Sequence, residues 1–187
     1  MVAAIRWARP GRRPAPYAGA GGAATAVLNT CEEIQYEEAL GMRQRGDDSE
    51  ITGVTIGVAA VEEQIRSALA MGIDRASRLD DTRALDPYAI ARILYSLVQK
   101  ETPQVVMMGK QAVDDDSNQV GQMLAGLLGW PQATFVSKIE FLEDKIHARC
   151  TRETDGGLEV IEVKLPAVIT TALRLNEPRS VSLPGLL

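Results

Sequence analysis

Three short apolar runs constrain this chain more than any other feature: Val54–Ala59, Val105–Met108 and Pro166–Thr171. Each is too short for a helix, and none shows the strict alternation of a strand with one wet face. Runs apolar on both faces belong in a parallel sheet covered by helices on either side. The segments between them supply those helices. Asp86 stands ahead of Pro87 as an N-cap, and Ile90, Ile93, Leu94 and Leu97 carry a helix to about Lys100. Val61–Met71 has helical spacing through Ile65, Ala68 and Leu69 and closes on Gly72. Thr30 and Glu33 form a capping box ahead of a helix over 32–45, with Gly46 as its stop. Val120, Met123, Leu124, Leu127 and Leu128 predict a further helix ending at Gly129. From 137 to 165 the period drops to two. Ser137–Phe141, Lys145–Thr151 and Leu158–Leu165 are joined by turns at Glu143-Asp144 and Asp155-Gly156-Gly157. The expected fold is α/β, a mostly parallel sheet with an inserted antiparallel hairpin.

Composition narrows the function classes. The 187 residues, 45% hydrophobic and 24% charged, suit one domain with a real core. No apolar run approaches the ~18–20 residues of a membrane span. A net charge of −5 argues against a nucleic-acid surface, which needs clustered cations. Cys31 and Cys150 lie far apart and read as reduced thiols, and the single His147 reads as an exposed strand position. A zinc site or a histidine-dependent triad has no raw material here. Residues 1–28 carry Arg6, Arg9, Arg12 and Arg13 without an acid, among many Gly, Pro and Ala. No stable element is expected there, and the segment reads either as a mitochondrial targeting peptide or as an irregular N-terminus. The expected division is therefore 1–28, a nucleotide-binding α/β domain over 29–175, and an irregular tail over 176–187.

Open α/β sheets bind ligands beyond the carboxyl ends of their strands, which singles out the loop after Val105–Met108. Gly109 ends the strand, a polar loop follows, and Ser117 or Asn118 caps the next helix, whose free N–H groups suit a phosphate. The loop is neither G-x-G-x-x-G nor a P-loop, so spacing alone leaves two readings open: an anion site, or a solvated helix-capping loop with Lys110 as a surface charge.

Five blocks in order then resemble the beta subunit of electron transfer flavoprotein, over about Asn29 to Leu183. They are Ala68–Arg75, Gly109–Met123, Trp130–Phe135, Arg152–Thr170 with its Asp155-Gly156-Gly157, and Leu173–Arg179. The resemblance implies a Rossmann-like fold of the adenine nucleotide alpha hydrolase-like type. It also implies a subunit that binds AMP and pairs with an alpha subunit holding FAD. The implied AMP site comprises Asn29, Thr30, Cys31, Glu32 and Ile56, with Gly109, Lys110, Gln111, Ala112, Val113, Asp114, Asp115, Asp116, Ser117, Asn118, Gln119 and Val120. Backbone amides dominate its contacts. Leu183 matches the anchor of a partner-recognition loop, and Arg179 and Glu153 match positions linked to the flavin interface and to partner control.

The implied activity is electron carriage, from acyl-CoA and related dehydrogenases of fatty acid beta-oxidation to an electron transfer flavoprotein quinone oxidoreductase. It takes place in the mitochondrial matrix, or in the cytoplasm of a bacterium. No side chain of this subunit acts as acid, base or nucleophile, because the flavin carries the chemistry. Four departures stand out: Val120 for threonine, Thr30-Cys31 for Pro-Phe, Cys150 for a small aliphatic residue, and no match in 1–28 to the family's first strand. The segment that wraps the alpha subunit is also expected to be missing. Three alternatives stay open: a bifurcating-type subunit with FAD in place of AMP, a stand-alone adenine-nucleotide-binding module, and a truncated non-functional product.

Overall fold

The computed structural model describes residues 2–7, 30–44, 49–57, 62–81, 83, 85–110, 117–172 and 175. The elements in chain order are β1 (Val2–Trp7), α1 (Thr30–Gln44), β2 (Ile51–Ile56), α2 (Glu62–Met71), β3 (Arg75–Leu79), α3 (Pro87–Glu101) and β4 (Val105–Gly109). They continue with α4 (Val120–Leu128), β5 (Gln132–Phe141), β6 (His147–Thr154), β7 (Gly157–Lys164) and β8 (Ala167–Thr171). The non-alternating runs do form buried strands: every residue of β2 and β8 is buried, as are the first four of β4.

All eight strands join one sheet in the order β3-β2-β1-β4-β8-β5-β6-β7. The six from β3 to β5 run parallel, and β6 and β7 add the antiparallel excursion. This is the expected α/β architecture, with β8 re-entering the parallel sheet between β4 and β5. One expectation is corrected. The sequence predicts no stable element and no first strand in residues 1–28, yet Val2–Trp7 is a strand in the interior of the sheet. It pairs with Ile51–Ile56 on one side and with Val105–Met107 on the other. Arginines and small residues hid it, because a strand buried between two neighbours is recognised by its pairing as much as by its hydrophobicity.

Helices cover both faces. On one face Tyr36, Ala39, Leu40 and Met42 of α1 and Ala68 and Met71 of α2 pack with Ile51, Val105, Met107 and Ile169. On the other, Ile90, Leu94 and Val98 of α3 and Leu124 and Ala125 of α4 pack with Val54, Ile56, Val106, Met108 and Val168. A bidentate contact ties the far end of α1 to the start of β2. Arg43 Nη1 donates to both carboxylate oxygens of Asp74 at 2.9 Å, and Asp74 Oδ2 accepts from Ile51 N at 2.8 Å.

The N-cap reading of α3 holds: Asp86 Oδ1 accepts from Ala89 N at 2.7 Å, with Pro87 in the first turn. Asp86→Ala is therefore expected to cost about 1 kcal/mol. In a chain of this length that lowers the thermal midpoint by roughly 2–4 °C. Asp86→Asn should restore most of the loss in the same melting experiment.

Other boundaries shift. β2 begins at Ile51 rather than at 54, and β5 begins at Gln132 rather than at 137. β3, Arg-Ala-Ser-Arg-Leu, has no apolar pattern because it is an edge strand with little to bury. At the other end of the sheet, Asp144 organises the turn between β5 and β6. Its Oδ1 accepts from Ile146 N at 2.8 Å and His147 N at 3.0 Å, and Oδ2 lies 2.7 Å from His147 Nδ1. His147 is thus tied to a turn rather than simply exposed.

The His147 hydrogen bond, followed by the two backbone amides, holds the Asp144 carboxyl down to about 2. A depressed carboxyl stabilises the folded turn above its usual value of 3.8 and loses that contribution as pH falls toward 2. Titration followed by NMR should show Asp144 ionising near the lower value, with the turn's amide signals shifting alongside. Asp144→Asn should remove that acid transition; an Asp144 midpoint at the ordinary value would contradict the assignment.

Candidate functional site

Chain order and helix placement locate the crevice. From β1 the chain moves through α1 to β2 and through α2 to β3, then crosses by α3 to β4 on the opposite side of β1. Helices α1 and α2 lie on one face, and α3 and α4 on the other. The winding therefore reverses between β1 and β4, and the crevice of such a sheet opens at the carboxyl ends of those two strands.

Two helix starts point at that edge. The far end of α1 meets the amino end of β2 through Arg43 and Asp74, so Thr30, at the other end of the helix, lies toward the carboxyl edge. Helix α4 ends on Gly129, whose φ of +65° closes the helix through its N–H to Ala125 and Gly126 carbonyls. Pro131 O, just beyond, accepts from Val168 N at the start of β8, so the first turn of α4 also lies at the carboxyl edge.

That first turn sits close to the sheet because residue 121 is glycine. A Cβ there would come 2.6 Å from Thr170 Cγ2 and 3.2 Å from Met108 Sδ. The first bond into the helix is Met123 N to Gln119 O at 3.0 Å, so the amides of Val120, Gly121 and Gln122 precede the intrahelical ladder. They carry the positive end of the helix dipole. The amide of Lys110 is different. It donates to Thr171 O at 3.1 Å and extends the β4–β8 ladder, so it is removed from the set of expected main-chain donors.

The expected cap is also corrected. Gln119 occupies the N-cap position of α4 without a side-chain cap bond, and Asn118, at φ +47°, instead accepts from Gln122 Nε2 through Oδ1 at 3.1 Å. Asn tolerates the left-handed region better than most residues, which lets the chain turn sharply into the helix.

Of the sequence-expected residues, the sheet brings Ile56, Gly109 and Lys110 to one edge, with Thr30 and Val120 starting helices there. Cys31 and Glu32 follow in the first turn of α1. Glu153 lies on β6, opposite Leu158 of β7, separated from β4 by β8 and β5. Asn29, Gln111, Ala112, Val113, Asp114, Asp115, Asp116, Arg179 and Leu183 fall outside the described residues. Gly121, Phe135 and Thr170 were not singled out. A glycine in the first turn of an apolar helix was the available signal for Gly121; nothing in the pattern marked Thr170.

Cys150, buried in the core of the hairpin, has its thiol pushed up to about 11 by desolvation, so it packs as a small apolar residue. Among the described residues, no helix is long and apolar enough to cross a membrane.

Comparison with known proteins shows the family. The electron transfer flavoprotein domain matches residues 23–185. The chain is 47% identical over 160 residues to an electron transfer flavoprotein subunit beta of Dictyostelium discoideum, covering 86% of this chain and 63% of that protein. It is 48% identical over 160 residues to a subunit beta of Bradyrhizobium diazoefficiens, and 49% over 160 to a mitochondrial one of Arabidopsis thaliana. Each of these covers 86% of this chain and 64% of the relative. The chain thus spans less than two thirds of the length of these relatives. The family match runs from α1 through β8, with β1 ahead of it, and the chain belongs to the electron transfer flavoprotein family, where it is similar to beta subunits.

Proposed function

We propose that this chain serves as an electron transfer flavoprotein beta subunit, binding AMP at the β1/β4 crevice and bracing an alpha subunit that holds FAD. The observation that carries the reading is the first turn of α4, drawn against the sheet by Gly121 with its leading amides ahead of the helical ladder. Such a turn fits a phosphoryl group, because its donors and dipole both favour an anion. Gly109 and Val120, on either side of the loop, and Thr30 at the start of α1 would line the nucleotide, with Ile56 at the end of β2.

FAD held by the alpha subunit would supply the redox chemistry that links acyl-CoA and related dehydrogenases to a quinone oxidoreductase. This chain's own residues hold the nucleotide and present a docking surface. None is assigned a proton or a bond to break. The name of the Arabidopsis relative supports a mitochondrial setting, which we take to be the matrix, with the cytoplasm as its counterpart in a bacterium.

Hydrogen exchange with and without AMP tests the nucleotide site. Added AMP is expected to slow exchange at residues 117–122 relative to the β6–β7 hairpin. No protection there, and no nucleotide released on heating the purified chain, would contradict it. Release of FAD instead of AMP would favour the bifurcating-type reading.

A further inference from the structure

We propose that Phe135 is a positioning residue that holds the Lys110 ammonium at the start of α4 as a fixed positive charge for the nucleotide phosphate, an inference that rests on the AMP site proposed above. The backbone places Lys110 first. Its amide continues the β4–β8 ladder to Thr171 O, so its side chain emerges on the same face as Met108, two residues earlier. That face belongs to α4: Met108 packs with Leu124 and Ala125, and Gly121 abuts both Met108 and Thr170. The ammonium of Lys110 lies 5.3 Å from the centroid of the Phe135 ring, within cation–π range.

Phe135 is held there at a conformational cost. Its φ is +58°, a region bulky side chains rarely adopt. The pairing of β5 with β8 slips between Ala133 and Val136, and the pairing with β6 slips between Val136 and Lys138. Within the first slip, Phe135 N donates to Thr170 Oγ1 at 3.3 Å. Thr170 therefore grips Phe135 with its hydroxyl while its methyl meets the first turn of α4. Local strain of this kind persists where the surroundings over-determine it, and it concentrates at ligand clamps.

The chemistry of the pair suits an anion site. A carboxylate beside Lys110 would cancel its charge, whereas a ring face attracts the ammonium and leaves that charge to act on a third group. A free lysine on four rotatable bonds spreads its charge into solvent, and the ring confines it.

Calorimetric titration of the purified chain with AMP, and with adenosine as the phosphate-free control, tests the proposal. Phe135→Leu is expected to weaken AMP binding by roughly two- to fivefold. Lys110→Met should weaken it more, the double variant no further than Lys110→Met, and Phe135→Tyr should bind as the unaltered chain does. Adenosine affinity should not move. Phe135→Leu binding AMP normally, multiplicative losses in the double variant, or equal losses for adenosine would each overturn the proposal. If Phe135→Leu does not fold, the NMR shifts of the Lys110 ε-methylene decide in the unaltered chain: a ring-current upfield displacement supports it, and an ordinary lysine shift overturns it. An unaltered chain that folds but binds no AMP overturns the nucleotide reading and this inference together, whereas AMP binding insensitive to both residues overturns this inference alone.

Discussion

Ala4→Pro is expected to lower the thermal midpoint of this chain by roughly 6–12 °C, the shift that about 3 kcal/mol produces at this length. Ala4 lies in β1, aligned with Gly53 of β2 on one side and Met107 of β4 on the other. A strand paired on both sides has no free edge on which to place a proline. Whichever neighbour accepts from residue 4, its carbonyl would lose a partner away from water, at ~1–3 kcal/mol. The pyrrolidine ring would also press the strands apart. For a domain whose total stability is about 5–15 kcal/mol, that is a large fraction. An unchanged midpoint would mean that residues 2–7 do not fill the gap between β2 and β4, and that the N-terminal segment carries no element after all.

Gly121→Val carries the second large effect, on both stability and ligand. The first side-chain atom would already sit 2.6 Å from Thr170 Cγ2, and valine adds two branches that the wall of β4 and β8 cannot take. Overpacking of this kind costs ~1–3 kcal/mol. The first turn of α4 should then lift from the sheet and carry its amides away from the crevice, weakening the proposed AMP binding at least about tenfold, the equivalent of ~1.4 kcal/mol. Gly126 supplies the control. It is an exposed residue of the same helix with nothing within 4 Å of an added Cβ, so Gly126→Ala should stabilise by ~0.5–1 kcal/mol and leave AMP affinity unchanged. Melting curves and AMP titrations on the two variants separate damage to the helix start from damage to the helix as a whole.

Much of the architecture was legible before any coordinates. Asp86-Pro87 marked the start of α3, Gly129 the end of α4, and the change of period near residue 137 the antiparallel excursion. These signals are local, written in caps, breakers and periodicity. What escaped was set by pairing and packing. β1 carries two alanines and an arginine, and only its neighbours identify it as an interior strand. β3 is polar because an edge has little to bury. The first half of β5 was missed because the left-handed turn at Phe135 and the slips beside it break the alternation.

The site divides in the same way. Residues that end strands or start helices, such as Ile56, Gly109 and Val120, could be placed from spacing and resemblance. The close approach at Gly121, the grip of Thr170 on Phe135 and the capture of the Lys110 amide by Thr171 arise between distant segments, and no sequence window contains both partners.

This polypeptide is proposed to brace a flavin-holding partner from a nucleotide-bound crevice. Co-expression with an electron transfer flavoprotein alpha subunit, followed by the visible spectrum and nucleotide content of the purified material, tests it most directly. A yellow one-to-one complex that releases AMP on denaturation is expected. A colourless chain that elutes without the alpha subunit would contradict it.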